Sequence, residues 1–210
     1  MAEILELAAA PGIRVHPARR DTLDGMAGGG AHQGVVARLA PAPTVDENDL
    51  YALLDRLGDE PPFLLVLDGV QDPHNLGACL RTADAAGVHA VIVPKDRAAG
   101  LTPAARKAAA GAAETVPLVQ VVNLARCLRS LKERGIWLVG ADAGGEAAFE
   151  ADFSGPLALV LGAEGTGLRR LTRETCDLRV SLPMKGAVES LNVSVAAGAL
   201  LYLALARRGL

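Results

Sequence analysis

Aromatic residues make up only 3% of this 210-residue chain, which leaves few platforms on which unpaired bases could stack. A basic excess is also missing. The formal net charge is −3, so no global field holds a polyanion, and any nucleic-acid contact must come from local Arg and Lys groups. Cys79, Cys127 and Cys176 lie far apart and form no Cys-x-x-Cys pair. His16, His32, His74 and His89 show no metal-ligand spacing, so neither a zinc site nor a disulfide framework is expected. A Gly-x-Ser-x-Gly elbow and a Walker loop are absent too, which argues against serine hydrolysis and nucleotide triphosphatase chemistry. The start of the chain has no basic stretch leading into an apolar run. The longest apolar run, Val195 to Ala206, is too short to span a bilayer. The expectation is a cytoplasmic protein with no membrane association and no metal.

What is present is an ordinary globular composition, 50% apolar and 21% charged, enough for one large domain and a small appendage. Residues 1–40 read as a fragment. They hold a short strand at Ile13–Val15, a helical turn at Asp21–Met26, a glycine connection at 28–30 and a strand from Gln33 to Leu39. Residues 40–44, rich in proline, read as a linker, and Glu47–Leu57 as an amphipathic helix.

From Pro61 onward the rhythm becomes regular. Strands are expected at Phe63–Leu67, Ala90–Val93, Val116–Val119, Ile136–Val139, Leu157–Leu161 and Leu178–Ser181. Helices are expected at Leu76–Ala86, Pro103–Ala110, Leu124–Arg134 and Leu168–Thr175, with a closing helix from Ser190. The strands are short and unalternating, so both faces should carry helices. That pattern gives an α/β fold with a mostly parallel sheet.

Ligands of such sheets sit beyond the carboxyl ends of the strands, which directs attention to three loops. The first runs from Asp68 to Gly77 with Arg81 following. In it Asn75 reads as a helix N-cap, Gly77 as a close-packing point and Arg81, taken alone, as a solvated surface residue. The second, Gly162-Ala-Glu-Gly-Thr-Gly-Leu168, lets a ligand approach the backbone. It has the wrong glycine order for a dinucleotide fingerprint, and Lys185 stands where that fingerprint needs an acid. Glu164 within it is either solvated or orients a cation such as Arg81. Arg169, Arg170 and Arg173 follow, reading as a solvated face or as phosphate ligands. The third loop spans Leu182 to Ser194. Ser190 reads equally as a helix cap or as part of a site, yet capping leaves Asn192 and Ser194 at the head of an apolar helix unexplained.

Together, Asn75-x-Gly77-x-x-x-Arg81, Gly162-x-Glu164-Gly-x-Gly167 and Leu182-Pro-Met with Ser190-Leu-Asn-Val-Ser194 resemble the three motifs of the SpoU (TrmH) family of RNA ribose methyltransferases, over about residues 61–208. Pro94-Lys-Asp-Arg97, Gly111 to Pro117, Asn123 to Arg126 and His32 to Val36 resemble a branch that methylates a guanosine 2′-oxygen in large-subunit ribosomal RNA. The resemblance implies a deep trefoil knot near the C-terminus, S-adenosyl-L-methionine (AdoMet) as cofactor and a homodimer whose active site uses both chains. By motif position it places Gly162, Ala163, Leu182, Met184 and Leu191 against the cofactor. Asn75, Arg81, Glu164, Ser190 and Asn192 fall in the reaction site. It further implies that residues 1–40 are the remnant of an RNA-binding substrate domain, 41–60 a linker and helix, and 61–210 the methyltransferase domain. The alternatives left standing are a transfer-RNA guanosine methyltransferase of the same family, a catalytically idle RNA-binding module and, more remotely, a nicotinamide oxidoreductase.

Overall fold

The computed structural model describes residues 2–9, 13–38 and 45–209. The chain separates into two compact units, Met1–Pro43 and Thr44–Leu210.

Among the described residues of the first unit, helices α1 (Ala2–Ala9) and α2 (Arg20–Ala27) are the regular elements. The expected helical turn is thus a full α2, closed by Gly28 in the left-handed conformation. The strand expected at Ile13–Val15 is not formed, and neither is one over 33–38. That segment instead makes a tight turn. The Gly34 N–H donates to His32 Nδ1 (3.0 Å), and His32 Nε2 pairs with Asp24 (2.9 Å). With no partner strand among the described residues of the unit, extended backbone there has no ladder to join. Leu39 and the expected linker at 40–44 lie outside the described residues.

The second unit opens with α3 (Glu47–Arg56), capped by Asp46 in a reciprocal capping box with Asp49. A six-stranded sheet follows, with β1 (Phe63–Asp68), β2 (Ala90–Pro94), β3 (Leu118–Val121), β4 (Trp137–Ala147), β5 (Leu157–Gly162) and β6 (Leu178–Ser181). Their order is β3-β2-β1-β5-β4-β6, and every pairing is parallel. β3 starts two residues later than expected because Pro117 has no N–H for the ladder and offers only its carbonyl, to Val91 N–H (2.9 Å). β4 runs on past Val139 through a register break between Ala141 and Glu146, which lets it continue along β6.

All six residues of β1 are buried, as a doubly covered strand requires. Phe63, Leu65 and Leu67 pack on one layer with α4 (Pro73–Ala85), α5 (Pro103–Ala109) and α8 (Val193–Arg207). Leu64 and Val66 pack on the other with α3 and α6 (Leu124–Glu133), beside which lies α7 (Arg170–Thr175). Gly77 sets the spacing of α4 on α5: a Cβ there would lie 2.3 Å from the Ala105 carbonyl oxygen.

Strand order reverses between β1 and β5. The chain leaves β1 for β2 on one side and returns to β5 on the other, so a crevice opens at their carboxyl ends. After β6, at the sheet edge, residues 182–192 carry the chain back past β4 to this crevice, where α8 begins.

Candidate active site

Three segments meet at the crevice. Helix α4 delivers Asn75 in its first turn. Its N-cap is Asp72, whose carboxylate accepts from His74 N–H (2.9 Å), and Pro73 takes the first helical position. The N-cap role expected of Asn75 therefore falls to Asp72, and the Asn75 amide is released for the site. Helix α4 thus begins three residues earlier than expected, whereas α8 begins later, at Val193. Its cap is Asn192, not Ser190, with Asn192 Oδ1 accepting from Ser194 N–H (2.9 Å) and from Ser194 Oγ (2.6 Å). Ser190 is exposed and makes no hydrogen bond among the described residues.

The third segment is the turn after β5. Ala163 and Gly167 bridge antiparallel, the Gly167 N–H donates to the Ala163 carbonyl (2.9 Å), and Gly165 and Gly167 adopt positive φ. The turn closes so tightly that a Cβ on Gly162 would lie 2.0 Å from the Gly167 carbonyl carbon. At its tip Glu164 gathers the other two segments. Its Oε1 accepts from Asn192 Nδ2 (2.6 Å), Val193 N–H (3.1 Å) and Asn75 Nδ2 (3.2 Å). Asn192 Nδ2 also donates to Asn75 Oδ1 (3.0 Å). Both amides are thus fixed in orientation, since each Asn192 atom already has partners of the matching kind.

Glu164 does not orient Arg81. Arg81 is exposed on α4 and has no hydrogen-bond or ion-pair partner among the described residues. Six helical positions from Asn75 place it on another side of the helix. The cationic run after the turn is committed elsewhere. Arg169 pairs with Asp68 (2.6 Å), Arg170 with Glu174 (2.9 Å) and Arg173 with Asp142 (2.9 Å), so a phosphate would have to compete with carboxylates for these groups.

Asp68 escaped sequence reading. It ends β1 with its side chain wholly buried and binds both Arg169 Nε (2.6 Å) and Arg169 N–H (3.0 Å), pinning the exit of the glycine turn to the end of β1. A buried carboxylate persists only when paired and hydrogen-bonded. The signal was an acid closing the apolar run Phe63-Leu-Leu-Val-Leu.

The residues expected against a cofactor lie along two of these segments. Gly162 and Ala163 form the base of the turn, while Leu182, Met184 and Leu191 line the connection from β6 to α8. Leu182 packs against the core, whereas Leu191 is 37% exposed and Val188 64%. From 182 to 191 the backbone makes no hydrogen bond within the described chain. Free backbone donors and acceptors beside exposed apolar side chains fit a ligand with a flat, polar-edged base, as an adenosine has.

The sequence pattern of the SpoU rRNA Methylase family matches residues 62–202. The chain belongs to this family. A second pattern, RNA 2′-O ribose methyltransferase substrate binding, matches residues 1–45. The chain is 58% identical over 210 residues to the 23S rRNA (guanosine-2′-O-)-methyltransferase RlmB of Yersinia pestis, covering 99% of this chain and 83% of that one. It is also similar to the SpoU methyltransferase AviRb from Streptomyces viridochromogenes, solved in complex with AdoMet, with a TM-score of 0.67 and 34% identity. That match covers 73% of this chain and 64% of AviRb. An rRNA methyltransferase from Sinorhizobium meliloti shares the fold over 97% of this chain and 76% of its own, with a TM-score of 0.76 at 24% identity. The family match over residues 62–202 spans all three sequence motifs.

Proposed function

We propose that this SpoU-family chain is an AdoMet-dependent enzyme of the RlmB-like branch, methylating the 2′-oxygen of a guanosine ribose in 23S ribosomal RNA. The observation that carries the reading is the Glu164 cluster. Amides from α4 and α8 converge on one carboxylate at the point where strand order reverses, the place where such sheets hold ligands. The RlmB relative from Yersinia pestis, at 58% identity, supplies the substrate class.

Gly162, Ala163 and Met184 would hold the cofactor through backbone groups, with Leu182 and Leu191 against its apolar faces. When bound, AdoMet supplies a methyl group already activated on a sulfonium. The chain's task is to hold a ribose hydroxyl in line, and such positioning lowers barriers by roughly 7–11 kcal/mol. Asn75 and Asn192, fixed by Glu164, set the geometry around the hydroxyl, and Ser190 adds a hydroxyl at the mouth of the connection. Arg81 binds a substrate phosphate and stabilises the developing alkoxide. A guanidinium stays protonated, which favours this role over that of general base.

Residues 1–40 belong in this reading to a substrate-binding region, which the match over residues 1–45 supports. Homodimerisation is supported by α8, whose outer side carries Val195 (54% exposed), Ala199, Tyr202 (51% exposed) and Ala206 at helical spacing. The trefoil knot is supported by the return of residues 182–192 from the sheet edge to the crevice. No described helix is long and apolar enough to cross a membrane, and a cytoplasmic location is proposed from the ribosomal substrate of the relatives.

The test is transfer of labelled methyl from AdoMet to 23S ribosomal RNA and to transfer RNA in parallel, with the modified nucleotide mapped. Methylation of a ribosomal guanosine ribose is expected. Labelling of transfer RNA alone would move the chain to the other branch, and binding of RNA with no affinity for AdoMet would make it a binding module.

A further inference from the structure

The segment Pro94-Lys-Asp-Arg97 has no part in the cluster described above, yet the fold holds it beside the crevice. The Lys95 N–H donates to the Val121 carbonyl (2.9 Å), and the Ala99 N–H donates to the Val70 carbonyl (2.8 Å). The loop after β2 is therefore tied to the end of β3 on one side and to the β1–α4 loop on the other. Between these ties Arg97 adopts φ +58. Its carbonyl oxygen lies 3.8 Å from the point a Cβ on Gly69 would occupy, and Arg169 Nη2 lies 3.8 Å from the same point. Gly69 follows Asp68, so Arg97 stands at the rim of the crevice.

Left-handed backbone is costly for any residue with a Cβ, and glycine or asparagine would take this conformation more easily. The other two non-glycine residues with positive φ among the described residues have local reasons: Ala110 ends α5, and Gln33 sits in the turn closed on His32. Arg97 ends no helix, is exposed, and has no side-chain partner among the described residues. Strain kept by a long cationic side chain at a ligand crevice is a mark of function in that side chain. The neighbouring cations offer less, because Arg169, Arg170 and Arg173 are each paired with a carboxylate. Asp96 stands beside Arg97 and Lys95, so the loop's net charge is small and its grip must be an aimed contact.

We propose that Arg97 grips a phosphate of the RNA strand carrying the target ribose and so sets substrate register on the β2 side of the crevice. The inference rests on the RNA-methylating reading above. Arg97→Gly separates side chain from backbone, because glycine accommodates the positive φ of the loop while the whole side chain, with its guanidinium, is removed. The full chain and its Arg97→Gly, Arg97→Lys and Arg129→Ala variants are compared, the last removing an exposed cation on α6. KM for a 23S ribosomal RNA transcript, RNA affinity across a salt series, affinity for S-adenosylhomocysteine and melting temperature are measured.

Arg97→Gly is expected to melt no lower than the parent and to keep its S-adenosylhomocysteine affinity. Its KM for RNA should rise about tenfold, and its log–log salt slope should fall by about one. Arg97→Lys should lie between, and Arg129→Ala should keep the parental slope. Parental KM and slope in Arg97→Gly would overturn the proposal, as would a lower melting temperature with lost cofactor affinity, which would make Arg97 structural. A parent that neither binds nor methylates the transcript would remove the reading beneath it, and the proposal with it.

Discussion

Replacing Glu164 by alanine removes one oxygen that serves three donors, Asn192 Nδ2, Val193 N–H and Asn75 Nδ2. The two amides rehydrate when released, so their loss costs little. The Val193 N–H is half-buried at the start of α8 and loses about 0.5–1.5 kcal/mol of net hydrogen bonding. A carboxylate beside a helix N-terminus adds about 0.3–1 kcal/mol. The sum, roughly 1–2.5 kcal/mol, corresponds to a melting temperature lowered by about 2–10 °C in a unit of this size. Glutamine keeps an oxygen at the same place and loses only the charge, so Glu164→Gln should melt within about 4 °C of the parent. Thermal melts followed by circular dichroism check this, with initial rates of methyl transfer at saturating AdoMet measured in parallel. If the carboxylate acts by orienting Asn75 and Asn192, the alanine variant loses at least about 100-fold in rate, and glutamine recovers most of it. A glutamine variant that melts like the parent yet is as inactive as alanine would refute positioning and assign the work to the negative charge itself.

Arg81→Ala is expected to abolish turnover while AdoMet affinity, measured by calorimetry, stays near the parental value. Gly162→Ala forces a methyl group into the Gly167 backbone, so cofactor affinity and melting temperature should both fall. Gly77→Ala pushes α4 off α5 and should cost about 1–3 kcal/mol, read as a shifted urea midpoint. Burial pushes the thiols of Cys79, Cys127 and Cys176 up to about 12 from 9.0. The folded chain therefore keeps these protons when the unfolded chain loses them. The associated stability is full below pH 9 and is lost as pH rises from 9 towards 12, with a limiting slope of about 1.4 kcal/mol per pH unit for each thiol. Melting temperatures from pH 8 to pH 11 test this, and a flat profile would contradict it.

The sheet was readable in the sequence because runs such as Phe63-Leu-Leu-Val-Leu and Leu157-Ala-Leu-Val-Leu are buried on both faces and have no helical period. β6 was placed to the residue, at Leu178–Ser181. The ends of helices were less readable. Asn75 and Ser190 are good capping residues, but Asp72 with Pro73 after it, and Asn192 with Ser194, make the caps that form. The first unit misled for a related reason: Ile13-Arg-Val15 has the composition of a strand but finds no ladder partner. Motif resemblance pointed to Asn75, Glu164 and Asn192, whereas the hydrogen bonds that join them are visible only in the folded chain. No local pattern shows that Glu164 binds two amides rather than Arg81, because that depends on which strands lie side by side. The Asp68–Arg169 pair, 101 residues apart in sequence, was hidden for the same reason.

Asn75 and Asn192 touch across 117 residues of chain, and Glu164 and Asn75 across 89. Contacts of such separation form late, after the local helices and the neighbouring β1–β2 pairing, because closing the longer loop costs more entropy. During synthesis the segment from Asn192 onward emerges after all six strands of the sheet. A chain still attached to its ribosome can therefore build most of its sheet while Glu164 waits for its principal partner, and the Glu164 cluster is complete only once α8 has docked.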